Sequence, residues 1–412
     1  MGVNNDEIKG ALSGVRIVDW TIRAAGPCAT WILGDMGAEI IKVENPQGGD
    51  PQRGTKKDRD QTLMLPHGFQ YTFENQNRNK KSLAVDLTTQ EGKEIIYALV
   101  AKSDAFVQNF RFGVTKKLNL DYETLKKHNP SLVYANCNGY GRKGKQASQP
   151  ALDPAIHAAS GMMMAIGEEN MPPIHLPGAI ADATTSIMLA CSLMIGLFSR
   201  ERTGIGQEIN VSMLGTMLWV QTNNILYSIL AKKSRERQLR TKPSNALVNH
   251  YCCKDGGWML LGHFQPDKYW PALCRALGLD ALTDDPQYRN LQLRKENSAK
   301  LVSILDKTFA TKNRDEWLAI FSKEDLIYSP IKDYNEVVHD PQVLENNFIM
   351  DYFHPVLGKI QEMGTPMEFS ETPASIRSPA PLLGQHNEEV LVNILGYSQD
   401  KFKALQGKGI VL

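Results

Sequence analysis

The sequence predicts an α/β protein, a large Rossmann-like domain on a parallel sheet joined to a smaller α+β domain. Three observations carry this. β-Branched runs alternate with helix-periodic segments from the first strand onward, the pattern of βαβ units. The chain has 412 residues, 42% hydrophobic and 22% charged, room for two ordinary cores. A hairpin signal around Asp255-Gly-Gly stands apart from the alternating pattern and is followed by a mostly helical stretch.

The first βαβ unit opens with the strand Val15-Arg-Ile-Val-Asp-Trp20 and a loop containing Gly26-Pro27. A helix over 28–37 follows, with Trp31, Ile32 and Met36 on its buried face, then the strand Glu39-Ile-Ile-Lys-Val-Glu44. The loop after the first strand has one glycine where a dinucleotide fingerprint needs three, so Glu44 reads as structural or surface, not as a ribose ligand. Residues 45–70 form a long loop, and 77–82 a basic turn leading into Leu83-Ala-Val-Asp-Leu87. Thr88-Thr-Gln-Glu91 has capping-box spacing and opens a helix to about 101. Ala105-Phe-Val-Gln-Asn-Phe110 and Ser131-Leu-Val-Tyr-Ala-Asn136 are further strands. The stretch 182–200 opens with small residues and turns apolar, which predicts a helix in the domain core. A strand over 208–212 and a helical stretch to 231 follow. Beyond a basic linker over 232–242 come a hairpin over 250–262 and helices from 267 to about 321. A proline-rich return closes with a helix from about 387. The boundaries are a first part of the large domain over 1–224, the small domain over 225–330 and a return to the large domain over 331–412.

Lys plus Arg number 46 against 45 for Asp plus Glu, so the chain lacks the basic excess of a nucleic-acid binder. Its six cysteines are scattered without C-x-x-C spacing and read as reduced, mostly buried thiols. The first ten residues lack a signal-peptide core, and Asp6 stands where a myristoylation motif beginning at Gly2 wants Ser or Thr. The apolar run over 187–198 is too short for a bilayer and reads as a buried helix. A cytoplasmic protein with no nucleic-acid or membrane partner is expected.

Three polar or basic clusters, 77–82, 109–117 and 138–145, fall in loops where a parallel sheet binds ligands. Singly, each is most simply solvated surface; together they favour a phosphate-rich ligand. Asp153 stands without an acidic neighbour in Ala151-Leu-Asp-Pro-Ala-Ile-His-Ala-Ala-Ser-Gly161. Alone, such an aspartate is more often a helix cap than a catalyst.

The chain resembles the family III CoA-transferases, the crotonobetainyl-CoA and formyl-CoA transferase group that also holds α-methylacyl-CoA racemase. The resemblance spans nearly the whole chain. It rests on Leu12-Ser-Gly-Val-Arg-Ile-Val-Asp19, Ala25-Gly-Pro27, Gly34-Asp-Met-Gly-Ala-Glu-Ile-Ile-Lys-Val-Glu44, Asn79-Lys-Lys-Ser82, Asn109-Phe-Arg111, Gly139-Tyr-Gly141, Thr203-Gly-Ile-Gly-Gln207 and Ala380-Pro-Leu-Leu-Gly-Gln-His386. Each piece is weak; their order and spacing are specific.

The resemblance implies that Asp153 is the nucleophile of a CoA-transferase. It would attack an acyl-CoA, pass through an aspartyl-acyl anhydride and an aspartyl-CoA thioester, and hand CoA to a free carboxylic acid. It implies coenzyme A as substrate with no permanently bound cofactor and no metal. The nucleotide would lie near Lys80, Lys81, Asn109, Phe110 and Lys117, and the pantetheine and thioester near Asn138 and Tyr140. Lys117 stands where formyl-CoA transferase has Arg, and Asn138 where it has Lys. The racemase branch uses a His directly before the family Asp with a later Asp; here Leu152 holds the first place and Asp182 the second, which favours the transferase. His157 reads as a structural imidazole one turn after Asp153. Trp20, Ile22, Met162, Met163, Met164 and His175 are candidates for the acyl pocket. A non-catalytic CoA-binding protein is the third reading. The resemblance further implies an interlocked homodimer.

Overall fold

The computed structural model describes residues 10–58 and 61–412. The expectations drawn from Gly2, Asp6 and the N-terminal segment lie outside the described residues. The chain divides into two compact units: Met1–Met163 with His175–Leu230 and Asn346–Leu412, and Met164–Ile174 with Ala231–Glu345.

The first unit is built on six strands: β1 (Arg16–Trp20), β2 (Glu39–Glu44), β3 (Lys80–Ala84), β4 (Ala105–Gln108), β5 (Val133–Asn138) and β6 (Gln207–Ser212). Their order is β3-β2-β1-β4-β5-β6, with every neighbouring pair parallel. This is the doubly wound order, and the chain reverses direction across the sheet between β1 and β4. Its principal helices are α1 (Ala25–Asp35), α2 (Gln90–Val100), α3 (Asp153–Ala159), α4 (Ile180–Thr203) and α5 (Met213–Val220).

The period of two along the strands sorts the core into two halves. Val18, Ile41, Phe106 and Tyr134 face α2, through Ile95, Ile96 and Leu99, and the C-terminal Val390, Leu391 and Phe402. Ile17, Ile40, Ala105, Val107 and Ala135 face the opposite way, onto Ala29 and Leu33 of α1 and Leu189, Leu193 and Leu197 of α4. Small residues on that second face bring α4 close. A Cβ on Gly196 would lie 2.6 Å from Ile209 Cδ1 and 2.8 Å from Val133 Cγ1. Each fully buried large aliphatic or aromatic side chain here contributes about 1.5–3 kcal/mol.

Several expectations need correction. The stretch 77–82 is not all turn: β3 begins at Lys80, because Lys80 finds buried partners for its charge and enters the ladder beside Ile40. The cap of α2 is Thr89, whose hydroxyl accepts the Gly92 amide, while Thr88 bonds back to Asp86. The helix over the 182–200 stretch runs from Ile180 to Thr203 and is buried on one face only, with Ile187, Ile195 and Phe198 at 62–63% exposure on the other. It is long and apolar enough to cross a membrane by length and composition, and its inner face packs on the sheet. Of the cysteines, Cys137, Cys253 and Cys274 are buried, Cys28 and Cys252 half-buried and Cys191 exposed; all are free thiols. The proline-rich return contains an unforeseen hairpin, β10 (Ile349–His354) and β11 (Gly358–Met363).

The return is held by a buried charge cluster. Asp35 takes Arg78 in a two-point pair at 2.7 and 3.2 Å, and the Asn79 amide at 2.7 Å. Asn79, in the left-handed region, reaches on to the Ser375 carbonyl. In the second unit an antiparallel sheet, ordered β9-β8-β7, is formed by β7 (Val248–Cys252), β8 (Trp258–Gly262) and β9 (Tyr328–Ile331). Tyr251, Trp270, Phe309, Trp317 and Phe321 make its core with flanking helices.

Candidate active site

Strand β5 ends at Asn138, whose side-chain oxygen accepts the Gly141 amide at 2.6 Å and closes the Gly139-Tyr140-Gly141 turn. Gly139 must be glycine, since a Cβ there would sit 2.2 Å from Ala151 Cβ. That contact sets Ala151 and the start of α3 against the carboxyl end of β5. Leu152 is extended and 59% exposed. Pro154 then stands in the first turn of α3, where its missing N–H costs nothing. Asp153, the first residue of α3, is 6% exposed.

Its two oxygens have different surroundings. Oδ2 accepts the amide of Ala181 at 2.7 Å and that of Asp182 at 3.3 Å, both in the first turn of the 24-residue α4. Ala179, left-handed at φ 53°, turns the chain into that helix. A helix N-terminus presents unpaired N–H groups and a positive dipole end, so it holds an anion without a cationic side chain. Oδ1 accepts no hydrogen bond from the described residues. Instead His157 Nδ1 stands 3.5 Å from it and His175 Nε2 3.6 Å. His157 is fully buried, and among the described residues neither of its ring nitrogens has a hydrogen-bond partner; His175 Nε2 also lacks one there. These three residues bring a carboxylate oxygen and two imidazole nitrogens within 4.8 Å of one another, a donor set a divalent transition metal could use.

Asp182 lies beside Asp153. Burial, then the charge of Asp153, push its carboxyl up to about 6, while the Ala25 amide and Arg23 pull the other way. Tyr140 packs with Ile156, Ala181, Met213 and Met217, which places it against the elements that carry Asp153.

Phe110 follows β4 at the reversal point of the sheet, its ring 4.3 Å from that of Trp20 on β1. It lines two neighbouring cavities beyond the strand ends. One, of 290 Å³, is walled by Trp20, Ile22, Val85, Phe110, Val114 and Leu118 among others. The second, of 310 Å³, includes Arg111, Lys116, Asn138 and Arg142. Lys117 is exposed on the short helix Val114–Lys117, next to Leu118.

The remaining residues expected to bind CoA are occupied elsewhere. Asn109 gives both ends of its amide to the backbone of Ile22, at 2.9 and 2.8 Å, and so clamps the loop after β1. Lys80 is buried with its ammonium on Asp19 Oδ2, the Pro27 carbonyl and Asn77 Oδ1, at 2.9–3.0 Å. Burial pushes Lys80 down to about 8 although Asp19 pulls it up. Burial alone would raise Asp19, but Lys80, Lys42, Thr21 and Thr30 hold it at about 2. Lys81 bridges Glu39 and Glu389 at 2.5 and 2.8 Å. Both lysines lie at the amino end of β3, opposite the strand ends that form the cavities. Glu44 is likewise structural, pairing with Arg53 at 2.8 Å through both oxygens.

Sequence reasoning missed the Ala181 and Asp182 amides and the convergence of His157 and His175 on Oδ1. Backbone donors leave no residue-type signal beyond the small residues opening α4, and His175 lies 22 positions from Asp153 in the chain.

A family model, CoA-transferase family III, matches residues 12–387. The chain is 33% identical over 400 residues to "Succinyl-CoA:glutarate CoA-transferase" of Mus musculus, covering 97% of this chain and 90% of that protein. It is 29% identical to "(R)-2-hydroxy-4-methylpentanoate CoA-transferase" of Clostridioides difficile, covering 97% and 99%. Among solved structures, a CAIB/BAIF family protein from Brucella suis superposes with a TM-score of 0.82 at 28% identity, covering 94% of this chain and all of that one. This chain therefore belongs to CoA-transferase family III and is a CoA-transferase enzyme of acyl-CoA metabolism.

Proposed function

We propose that the enzyme moves CoA from an acyl-CoA donor to a free carboxylic acid with Asp153 as covalent relay. The observation that carries this is the asymmetry of the Asp153 carboxylate: Oδ2 is tied to two helix amides, and Oδ1 accepts no hydrogen bond from the described residues.

Oδ1 attacks the thioester carbon, the C–S bond breaks, and CoA thiolate leaves with the electron pair, giving a mixed anhydride. The thiolate then adds to Cγ of Asp153, and the donor acid departs as its carboxylate, leaving an aspartyl-CoA thioester. The acceptor carboxylate attacks Cγ in turn and releases the thiolate. The thiolate takes the acceptor acyl group and returns Asp153 to its anion. In each addition to Cγ the negative charge develops on Oδ2, where the Ala181 amide already stands at 2.7 Å. The two amides thus serve the resting carboxylate and the tetrahedral oxyanion without reorganising.

For CoA we propose the crevice at the reversal of the sheet, with Phe110 as its apolar wall, Asn138 and Tyr140 toward Asp153, and Lys117 with Lys116, Arg111 and Arg142 at the phosphates. Lys80, Lys81 and the Asn109 side chain leave the set for the reasons above. The racemase reading lacks a base at Leu152. We also propose a homodimer, with a second copy covering exposed Ile187, Ile195 and Phe198 and the adjoining 460 Å³ apolar cavity lined by Trp31, Met36, Met194 and Phe369. Light scattering on the purified protein tests the dimer; a monomer at micromolar concentration refutes it.

The deciding experiment is incubation in D₂O with a panel of acyl-CoA thioesters and free acids, followed by mass spectrometry of the CoA species. New thioesters of the added acids without α-deuteration support the transfer. α-Deuteration without exchange supports the racemase. Neither product would leave CoA binding alone.

A further inference from the structure

We propose that His175, backed by His157, forms a carboxylate subsite that receives the acid entering to take CoA and releases the acid that has given it up. This rests on the reading of Asp153 as the relay and adds the group that handles the free acid.

The argument follows one atom. In the anhydride, Oδ1 is the bridging oxygen. When CoA thiolate bonds to Cγ, the Cγ–Oδ1 bond breaks and Oδ1 departs as one oxygen of the donor's carboxylate. When the acceptor reacts, an oxygen of its carboxylate bonds to Cγ at the vacated position, the C–S bond breaks, and the thiolate takes the electron pair. No proton moves in either step. A carboxylate oxygen therefore forms, and later arrives, where Oδ1 now stands.

That point is flanked by His157 Nδ1 at 3.5 Å and His175 Nε2 at 3.6 Å, on rings 5.2 Å apart and inclined by 55°. Buried polar atoms are ordinarily paired, yet both nitrogens of His157 and Nε2 of His175 have no hydrogen-bond partner among the described residues. An imidazole always carries at least one N–H, so each ring donates toward the point where Oδ1 stands in the tautomer that protonates its facing nitrogen. A carboxylate leaving water needs such donors. The rings differ in access. The His157 side chain is 0% exposed and cannot reach an incoming acid, so it is a positioning residue that backs Oδ1. The His175 side chain is 30% exposed with Nε2 turned to Asp153, so it meets the acid itself.

The test separates carboxylate handling from general damage. Wild type, His175→Phe and His175→Gln are charged with the acyl-CoA that serves as donor in the panel above, supplied alone, until mass spectrometry shows the covalent CoA adduct. Each is then discharged either with a carboxylic acid or with hydroxylamine, a neutral nucleophile that needs no carboxylate subsite. We expect His175→Phe to slow discharge by the acid about 10- to 100-fold, the range for losing a hydrogen bond to a charged group, with acceptor KM raised. Hydroxylamine discharge stays within about twofold of wild type by the same reasoning, since it forms no such bond. His175→Gln, which keeps a side-chain N–H, recovers part of the loss. Acid discharge at the wild-type rate in His175→Phe overturns the subsite while leaving Asp153 in place. Equal slowing with both nucleophiles overturns it in favour of a structural role. Loss of wild-type discharge on adding EDTA assigns the imidazoles to a bound cation and overturns it. A wild type that forms no adduct removes the Asp153 reading, and the subsite with it.

Discussion

Replacing Asp182 with Asn tests the electrostatics around Asp153 without changing the Asp153 side chain. The Asp182 carboxyl is pushed from 3.8 to about 6, first by burial and then by the charge of Asp153. A carboxyl raised by folding contributes stability that is complete below its unfolded value, near pH 4, and is lost as pH rises through about 6. A tenfold change in an acidity constant is worth about 1.4 kcal/mol, so ionised Asp182 costs the fold about 3 kcal/mol at most at pH 8; partial solvent access reduces this to about 1–3 kcal/mol. Asn keeps an oxygen for the Ala25 amide and carries no charge. Asp182→Asn is therefore expected to be more stable than wild type by about 1–3 kcal/mol at pH 8, with a several-fold smaller gain at pH 4. Thermal and urea unfolding at the two pH values measure it. Because Asp153 is the second cause, the gain shrinks when Asp153→Asn is already present, and a double-mutant cycle reads that coupling. A variant less stable than wild type at pH 8, or a gain independent of pH, would refute the reasoning.

Asp153→Asn removes the proposed nucleophile but keeps an oxygen for the α4 amides. It should fold and bind CoA while exchange falls on the order of 10⁴-fold or more; exchange near the wild-type rate excludes Asp153. Gly139→Ala drives a methyl into Ala151, at 2.2 Å. Such overpacking costs about 1–3 kcal/mol, and here it also displaces Asp153, so turnover should fall more than calorimetric stability suggests. Lys80→Ala takes the ion-pair partner from buried Asp19, which keeps its hydrogen bonds from Thr21 and Thr30, a loss of about 3–5 kcal/mol, while CoA affinity at a temperature where the variant stays folded remains close to wild type. A selective loss of CoA affinity would return Lys80 to the nucleotide site.

The strands and helices of the large unit were readable because alternation and helical periodicity are local signals. Val18 and Ile17 point to opposite faces of one sheet, and the period of two along a strand is enough to require it. The hairpin at Asp255-Gly-Gly was equally local. The β10–β11 hairpin was hidden by its proline-rich surroundings, and the exposed face of α4 by an apolar composition that looks the same packed on a sheet or open to a neighbour. The structure adds ion pairs that the lysines' own sequence does not reveal. Lys80 and Lys81 read as a phosphate-binding turn, but the charge of Lys80 is neutralised by Asp19, 61 residues away.

By itself the sequence determined the doubly wound class, the family, and Asp153 as the residue to examine, because periodicity and motif order survive in one dimension. Only the tertiary structure decided what surrounds that carboxylate. The amides of Ala181 and Asp182 grip Oδ2 from 28 and 29 residues away, and His175 reaches Oδ1 from a separate segment. Backbone N–H groups are common to every residue but proline, and two histidines among nine carry no mark of where they meet. Which oxygen is held by the amides and which is not is a property of distances that exist only once α3 and α4 are packed together.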